Sequence, residues 1–172
     1  MASKVEGAGP VVGIVLGSDS DLPVMEETVK ILKDFGVPFE LSVISAHRSP
    51  QRAADYAATA EERGLQVIIA GAGMAAHLPG ALAAYTCLPV IGVPLKNGAL
   101  NGIDALYGVV QMPPGVPVAT VAIDGARNAA LLAVQMLSLG DAVLRRQFRA
   151  YKEKMAADVA VKSASLQEKM QS

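Results

Sequence analysis

Two short polar loops hold the side chains of this sequence best suited to chemistry. Gly17-Ser18-Asp19-Ser20-Asp21 follows the apolar run Val11–Leu16, and Ser45-Ala46-His47-Arg48-Ser49-Pro50 follows Leu41–Ile44. In an open parallel α/β sheet, loops at the carboxyl ends of neighbouring strands meet in one crevice, so both can face a single ligand. Together they match the parts of a ribose phosphate. Serine hydroxyls and backbone amides at helix starts suit phosphate oxygens, the Arg48 guanidinium supplies positive charge, and a carboxylate accepts from sugar hydroxyls. His47 is the one side chain of the two loops able to move a proton near neutral pH.

Each loop also has a plainer reading. Ser20 or Asp21 would cap a helix beginning near Leu22, and Ser49 would cap one beginning at Pro50. Capping needs neither His47 nor Arg48, however, and a strand end is an odd place to put both for packing alone. The first loop has no Gly-x-Gly-x-x-Gly and no Gly-Lys-Ser/Thr, which excludes a dinucleotide fingerprint and a P-loop. A third element, Ala70-Gly71-Ala72-Gly73-Met74-Ala75-Ala76-His77-Leu78-Pro79-Gly80, follows another apolar run with small or absent side chains. Such a turn lets a flat ligand lie against the backbone, and equally suits close helix–strand packing. His77 can touch substrate or bond the backbone. Gln111-Met112-Pro113-Pro114-Gly115 is a rigid turn that serves as a lid or as a connection.

The elements that must position these loops are legible from periodicity. Short Val- and Ile-rich runs at Val11–Leu16, Phe39–Ile44, Val67–Ala70, Val90–Val93 and Val116–Ile123 predict strands buried on both faces, as in a parallel sheet. Helical spacing predicts helices over Leu22–Phe35, Pro50–Arg63, His77–Thr86 and Ile103–Val110. Asp124–Leu139 has hardly a polar face, which predicts a helix buried all round with a second subunit among its neighbours. Asp141–Gln171 carries Leu144, Phe148, Tyr151, Met155 and Val159 at three- and four-residue spacing, an amphipathic arm that packs on a partner or back on its own domain. The expected organisation is a loose tail over residues 1–10, an α/β catalytic domain over 11–140 and the helical arm over 141–172.

Composition narrows the function classes. The 172 residues suit one domain with a full core, and 52% are hydrophobic before the 16 glycines are counted. Ordinary domains reach roughly 45–50% with glycine included, and burial between subunits accounts for the excess. The longest uncharged apolar stretch, around Ala129–Leu139, is far short of a bilayer span, and Met1–Glu6 carries no long apolar leader. A cytoplasmic protein is expected. The net charge is −1 with scattered basic residues, which leaves no electrostatic footprint for nucleic acid. Cys87 is the only cysteine, so an intrachain disulfide or cysteine-based zinc cluster is excluded and a small buried thiol is expected.

In this order the pieces resemble the class I 5-(carboxyamino)imidazole ribonucleotide mutases of purine biosynthesis. The resemblance runs from Val12 to about Leu139. It rests on Gly17-Ser18-x-Ser20-Asp21, Ser45-Ala46-His47-Arg48-x-Pro50, Gly71-Ala72-Gly73-x-Ala75-Ala76-His77-Leu78-Pro79-Gly80 and Gln111-Met112-Pro113-x-Gly115-x-Pro117-Val118. It implies a three-layer flavodoxin-like α/β fold, a homo-octamer, and a carboxyl shift from the exocyclic nitrogen to carbon 4 of the imidazole without a cofactor or metal. On the matching positions, His47 is the catalytic histidine. Ser18, Asp21 and Arg48 bind substrate, Ser20 and Ser45 line the phosphate and ribose site, and the turn from Gly71, Ala72, Gly73 and Met74 to His77 and Leu78 holds the imidazole and carboxylate. The animal-type carboxylase that uses free carbon dioxide is similar to a lesser degree, having Lys after its loop histidine and no Ala-Ala-His-Leu-Pro-Gly turn. Met74 stands where the family usually has Gly, Leu22 where it has Trp, Ala81 where it has Met and Gly108 where it has Ser. Of these Met74 matters most, because it puts a side chain into the substrate-facing turn.

Two other classes compete on fold alone. A receiver-type signalling domain would need an Asp at the end of its third strand and a Lys near the end of its fifth, where this chain has Ala70-Gly71-Ala72 and Ile123-Asp124. A flavodoxin-type carrier would stack its flavin on aromatic rings, yet the chain has 4 Tyr, 3 Phe and no Trp.

Overall fold

The computed structural model describes residues 9–171. Most of the expected tail, residues 1–10, therefore lies outside the described residues. Five strands are present among them: β1 (Val12–Leu16), β2 (Phe39–Val43), β3 (Val67–Gly73), β4 (Val90–Leu95) and β5 (Ala119–Thr120). They pair in the order β2-β1-β3-β4-β5, every pair parallel. The connecting helices are α1 (Leu22–Asp34), α2 (Pro50–Ala58), α3 (Leu78–Ala83), α4 (Ile103–Val110) and α5 (Ala126–Leu137), followed by the long α6 (Ala142–Gln171).

Alternation along the strands builds two cores. Val12, Ile14 and Leu16 of β1, with Ile69 and Ile91, meet α1 and α5 on one face of the sheet. Val15, Ile68, Ala70 and Val90 meet α2, α3 and α4 on the other. The result is a three-layer, flavodoxin-like α/β fold. Strand order reverses between β1 and β3, so the loops after β1, β2 and β3 open at the crevice where such sheets bind ligands.

Several sequence expectations are corrected here. α5 is not buried all round within one chain: Ala126, Ala129, Ala130, Ala133 and Val134 pack inward, while Arg127, Asn128 and Gln135 are exposed. The run Val116–Ile123 contributes only Ala119 and Thr120 to the sheet, paired with Ile91 and Gly92. Pro117 has no N–H to give a ladder, and Asp124 turns the chain at φ 56. Helix α2 stops at Ala58, five residues short of the predicted end, and α3 spans only Leu78–Ala83. Cys87 is exposed in the turn after α3 rather than buried. In α6, Leu144, Phe148 and Tyr151 pack on the chain's own core beside Phe35, and the other residues up to Met170 are exposed. No described helix is long and apolar enough to cross a membrane.

Candidate active site

A cavity of about 590 Å³ opens at the carboxyl ends of the strands. Its first wall is the turn after β1. There Ser18 begins a single 3-10 turn, Asp19–Asp21, closed by a reciprocal capping box. The Ser18 hydroxyl accepts from the Ser20 amide, and the Asp21 carboxylate takes the Ser18 N–H at 3.0 Å. Neither Asp21 nor Ser49 gives its side chain to the following helix: the Ser49 hydroxyl donates instead to the Ser45 carbonyl at 2.9 Å. The capping box accounts for Ser18 and Asp21 at the first helix start, whereas capping leaves His47 and Arg48 of the second loop unexplained.

The second wall is the turn after β2. The Ser45 hydroxyl accepts from the Arg48 backbone N–H at 3.2 Å, and from the Arg48 Nε at 3.4 Å. The Arg48 Nη2 reaches toward the Gly17 carbonyl at 3.5 Å, so the guanidinium spans the first two loops. His47 lies on the same cavity, with its Nε2 2.7 Å from Nδ1 of His77.

The third wall comes from the end of β3 and the turn beyond it, where Ala72, Gly73, Met74 and Leu78 line the cavity. Two sequence-predicted residues stand back from it. Gly71 lies beneath the wall, where a Cβ would meet Met25 Sδ at 3.0 Å and Leu95 Cδ1 at 3.3 Å, so its missing side chain serves the core. His77 is exposed beside the cavity and is tied to it by its contact with His47. Met74 adopts φ 54, the left-handed conformation that glycine takes at little cost, and its side chain lies along Gly98. Ser18, Ser20, Asp21, Ser45, His47 and Arg48 are thus brought together with the third turn around one space.

Asn97 was not foreseen. It lies two residues after β4, lines the cavity, and donates from Nδ2 to Asp21 Oδ1 at 3.1 Å. In sequence it reads as the turn-former of Lys96-Asn97-Gly98, and only its place at a strand's carboxyl end hints at the site. Asp21 is 4% exposed, and burial pushes its carboxyl above the ordinary value. The Asn97 and Ser18 hydrogen bonds pull the other way, while the Asp19 charge adds to the rise.

The pattern of the family model described as AIR carboxylase matches residues 11–158. An N5-carboxyaminoimidazole ribonucleotide mutase of Pyrococcus horikoshii is 56% identical over 168 residues, covering 98% of this chain and 95% of that protein. A phosphoribosylaminoimidazole carboxylase of Saccharomyces cerevisiae is 55% identical over 158 residues, 92% of this chain but 28% of the larger yeast protein. The crystal structure of Treponema denticola PurE superposes with a TM-score of 0.83 at 28% identity, covering 91% of this chain and 98% of that one. With a match spanning all five strands and all four loops that build the cavity, this chain belongs to the AIR carboxylase family.

Proposed function

We propose that this chain is a cofactor-free mutase that moves a carboxyl group from the exocyclic nitrogen to carbon 4 of an imidazole ribonucleotide. It converts 5-(carboxyamino)imidazole ribonucleotide to 4-carboxy-5-aminoimidazole ribonucleotide in purine biosynthesis. The observation that carries this reading is the placing of His47 on the same cavity as Ser18, Asp21, Ser45 and Arg48, from separate loops. The identity to the Pyrococcus horikoshii mutase over nearly the whole of both chains supports it.

In this reading the ribose phosphate lies against the first two loops. Arg48 and the hydroxyls of Ser18, Ser20 and Ser45 hold the phosphate end, and Asp21 accepts from the sugar hydroxyls. Binding energy from this remote end orients the ring. The imidazole and carboxylate lie along Ala72, Gly73, Met74 and Leu78, with Gly71 and His77 in support. His47 gives a proton to the exocyclic nitrogen as the nitrogen–carbon bond breaks, and carbon dioxide is released. Carbon 4 then attacks the retained carbon dioxide, and His47 takes back the proton that carbon 4 sheds. The proton count closes on one imidazole, a side chain able to give and to take a proton near neutral pH.

The same cavity could serve a carboxylase that takes carbon dioxide from solution. The deciding experiment compares turnover of the carbamate in carbonate-depleted buffer with turnover of aminoimidazole ribonucleotide plus bicarbonate. Full turnover of the carbamate alone is expected; dependence on added bicarbonate would overturn the mutase reading.

The domain reading follows the same lines: a catalytic unit over residues 11–140 and a helical arm from 141 that joins copies of the chain, assembled as a cytoplasmic homo-octamer. Exposed Leu139 and Val143 at the α5–α6 junction, and the groove lined by Leu131, Leu132 and Phe148, support burial against further copies. Sedimentation equilibrium checks this, with a mass of eight chains expected.

A further inference from the structure

We propose that Asn97 is a positioning residue of this site: seated in the space that Gly73 leaves open, its amide holds the Asp21 carboxylate in the orientation that accepts the sugar hydroxyls. The inference rests on the ribonucleotide reading above and adds a residue that none of the loop motifs contains.

Three observations support it. First, the two Asp21 oxygens are tied separately, Oδ2 to the Ser18 N–H at 3.0 Å and Oδ1 to Asn97 Nδ2 at 3.1 Å. A carboxylate held at one oxygen can turn about its last torsion; held at both, it presents its remaining lone pairs in one direction. An ionised carboxylate only accepts, so the amide must face it with nitrogen rather than oxygen.

Second, β3 ends in a glycine where Asn97 needs one. A Cβ on Gly73 would stand 2.4 Å from Asn97 Nδ2 and 2.9 Å from Asn97 Cβ. No side chain fits there while Asn97 keeps its seat, so this glycine makes room for the asparagine as well as lining the cavity.

Third, the mount is rigid. The Asn97 N–H donates to the Leu95 carbonyl at 3.0 Å, and the preceding Lys96 N–H donates to Asp124 Oδ1 at 2.9 Å. Asp124 in turn gives its own N–H to the Pro94 carbonyl at 2.9 Å. The loop after β4 is pinned at consecutive residues, which is what a group that orients another group requires.

The test is calorimetric titration of the product ribonucleotide, 4-carboxy-5-aminoimidazole ribonucleotide, into wild type, Asn97→Ala, Asp21→Asn and the double variant, alongside steady-state kinetics. Asn97→Ala should weaken binding about tenfold, the scale of losing one hydrogen bond to a charged group, and raise KM with kcat nearly unchanged. In the Asp21→Asn background the same change should cost less than about twofold, because the residue it acts through is already altered. Asn97→Asp keeps the size of the side chain but sets carboxylates face to face. It should bind poorly at neutral pH and recover as the pH falls and one carboxyl takes a proton. The other charged or titratable groups are Asp19 on Asp21's own turn and, on the shared cavity, His47 and Arg48 of the second loop, and all are unchanged in that variant.

Wild-type affinity in Asn97→Ala, an equal loss in the Asp21→Asn background, or no acid recovery in Asn97→Asp would each overturn the inference while leaving the ribonucleotide reading intact. Failure of the wild-type protein to bind the product would overturn that reading and this inference with it. If Asn97→Ala does not fold, the pH dependence of Asn97→Asp decides.

Discussion

His47 and His77 meet edge to face, their ring centroids 4.9 Å apart at 85°, with Nε2 of one 2.7 Å from Nδ1 of the other. Two N–H groups cannot point at each other across that distance, so a single proton lies between the facing nitrogens. If His77 holds it, the remaining proton of a neutral His47 sits on Nδ1; if His47 holds it, Nδ1 is a free acceptor. In the proposed reaction, His47 gives its Nδ1 proton to the substrate while Nε2 takes the proton that His77 held, which leaves Nδ1 free as the base for the second step. The count closes when His77 starts the first step as the imidazolium and ends it neutral.

His47→Asn should therefore leave affinity for the product ribonucleotide nearly unchanged while lowering kcat by about 10²–10⁴-fold, the usual contribution of a general acid–base group. His77→Ala should lower kcat by a smaller factor, about tenfold, since it removes the partner that sets the tautomer and not the group that meets the ring. Single-turnover kinetics with both variants check this. Near-normal turnover in His47→Asn would remove His47 from the chemistry.

Arg48 spans two loops, from the Ser45 hydroxyl to the Gly17 carbonyl. Its truncation to alanine should weaken binding of the phosphate-bearing product by roughly 1.5–3 kcal/mol, the worth of a hydrogen bond to a charged group. The dephosphorylated nucleoside should lose far less. Titration of both ligands into wild type and Arg48→Ala measures the difference, and equal losses would place the phosphate elsewhere.

The three loops were legible because each follows a short Val- and Ile-rich strand and carries polar or small residues that a mere connection does not need. Strand starts from β1 to β4 are legible for the same reason, buried parallel strands being apolar on both faces. Their ends are less so: β3 runs past Ala70 to Gly73 and β4 past Val93 to Leu95, because the Gly and Pro that read as strand ends are still paired in the ladder. What stayed hidden depends on contacts between distant segments. Asn97 owes its role to Asp21, seventy-six positions away, and to a gap at Gly73, neither of which leaves a local pattern. Cys87 sits in an apolar stretch yet is exposed, because α3 ends at Ala83 and the chain turns before reaching it. The α5 helix reads as buried all round because Leu131 and Leu132, half-buried against the chain's own core, flank its inward alanines and leave only Arg127, Asn128 and Gln135 as an exposed polar edge.

Burial raises the Asp21 carboxyl above its ordinary value of 3.8, so the folded chain holds this proton more tightly than the unfolded chain does. The slope of stability with pH follows the difference in bound protons. In ligand-free protein, Asp21 therefore makes the fold less stable as pH rises from below 3.8 through the raised folded value, and the loss is complete above it. Asp21→Asn removes that titration, and an amide flip at Asn97 lets both hydrogen bonds reform. Urea unfolding across that range should show Asp21→Asn gaining on wild type as pH rises, then keeping a constant lead. A difference that does not change with pH would contradict the buried, titrating carboxylate.

Met74 is 57% exposed and held at φ 54, where a residue with a Cβ is strained by roughly 1–2 kcal/mol. Glycine escapes that strain but loses about 0.5–1 kcal/mol more in backbone entropy on folding. Met74→Gly should therefore gain up to about 1 kcal/mol, a rise in Tm of about 2–4 °C for a chain of this size. Met74→Ala keeps the strained backbone and forfeits the packing along Gly98, so it should gain nothing. Thermal unfolding of the three proteins separates the two effects. If Met74→Gly melts below wild type, the methionine's contact with Gly98 outweighs its strain, and the side chain is fixing the turn after β3 rather than burdening it.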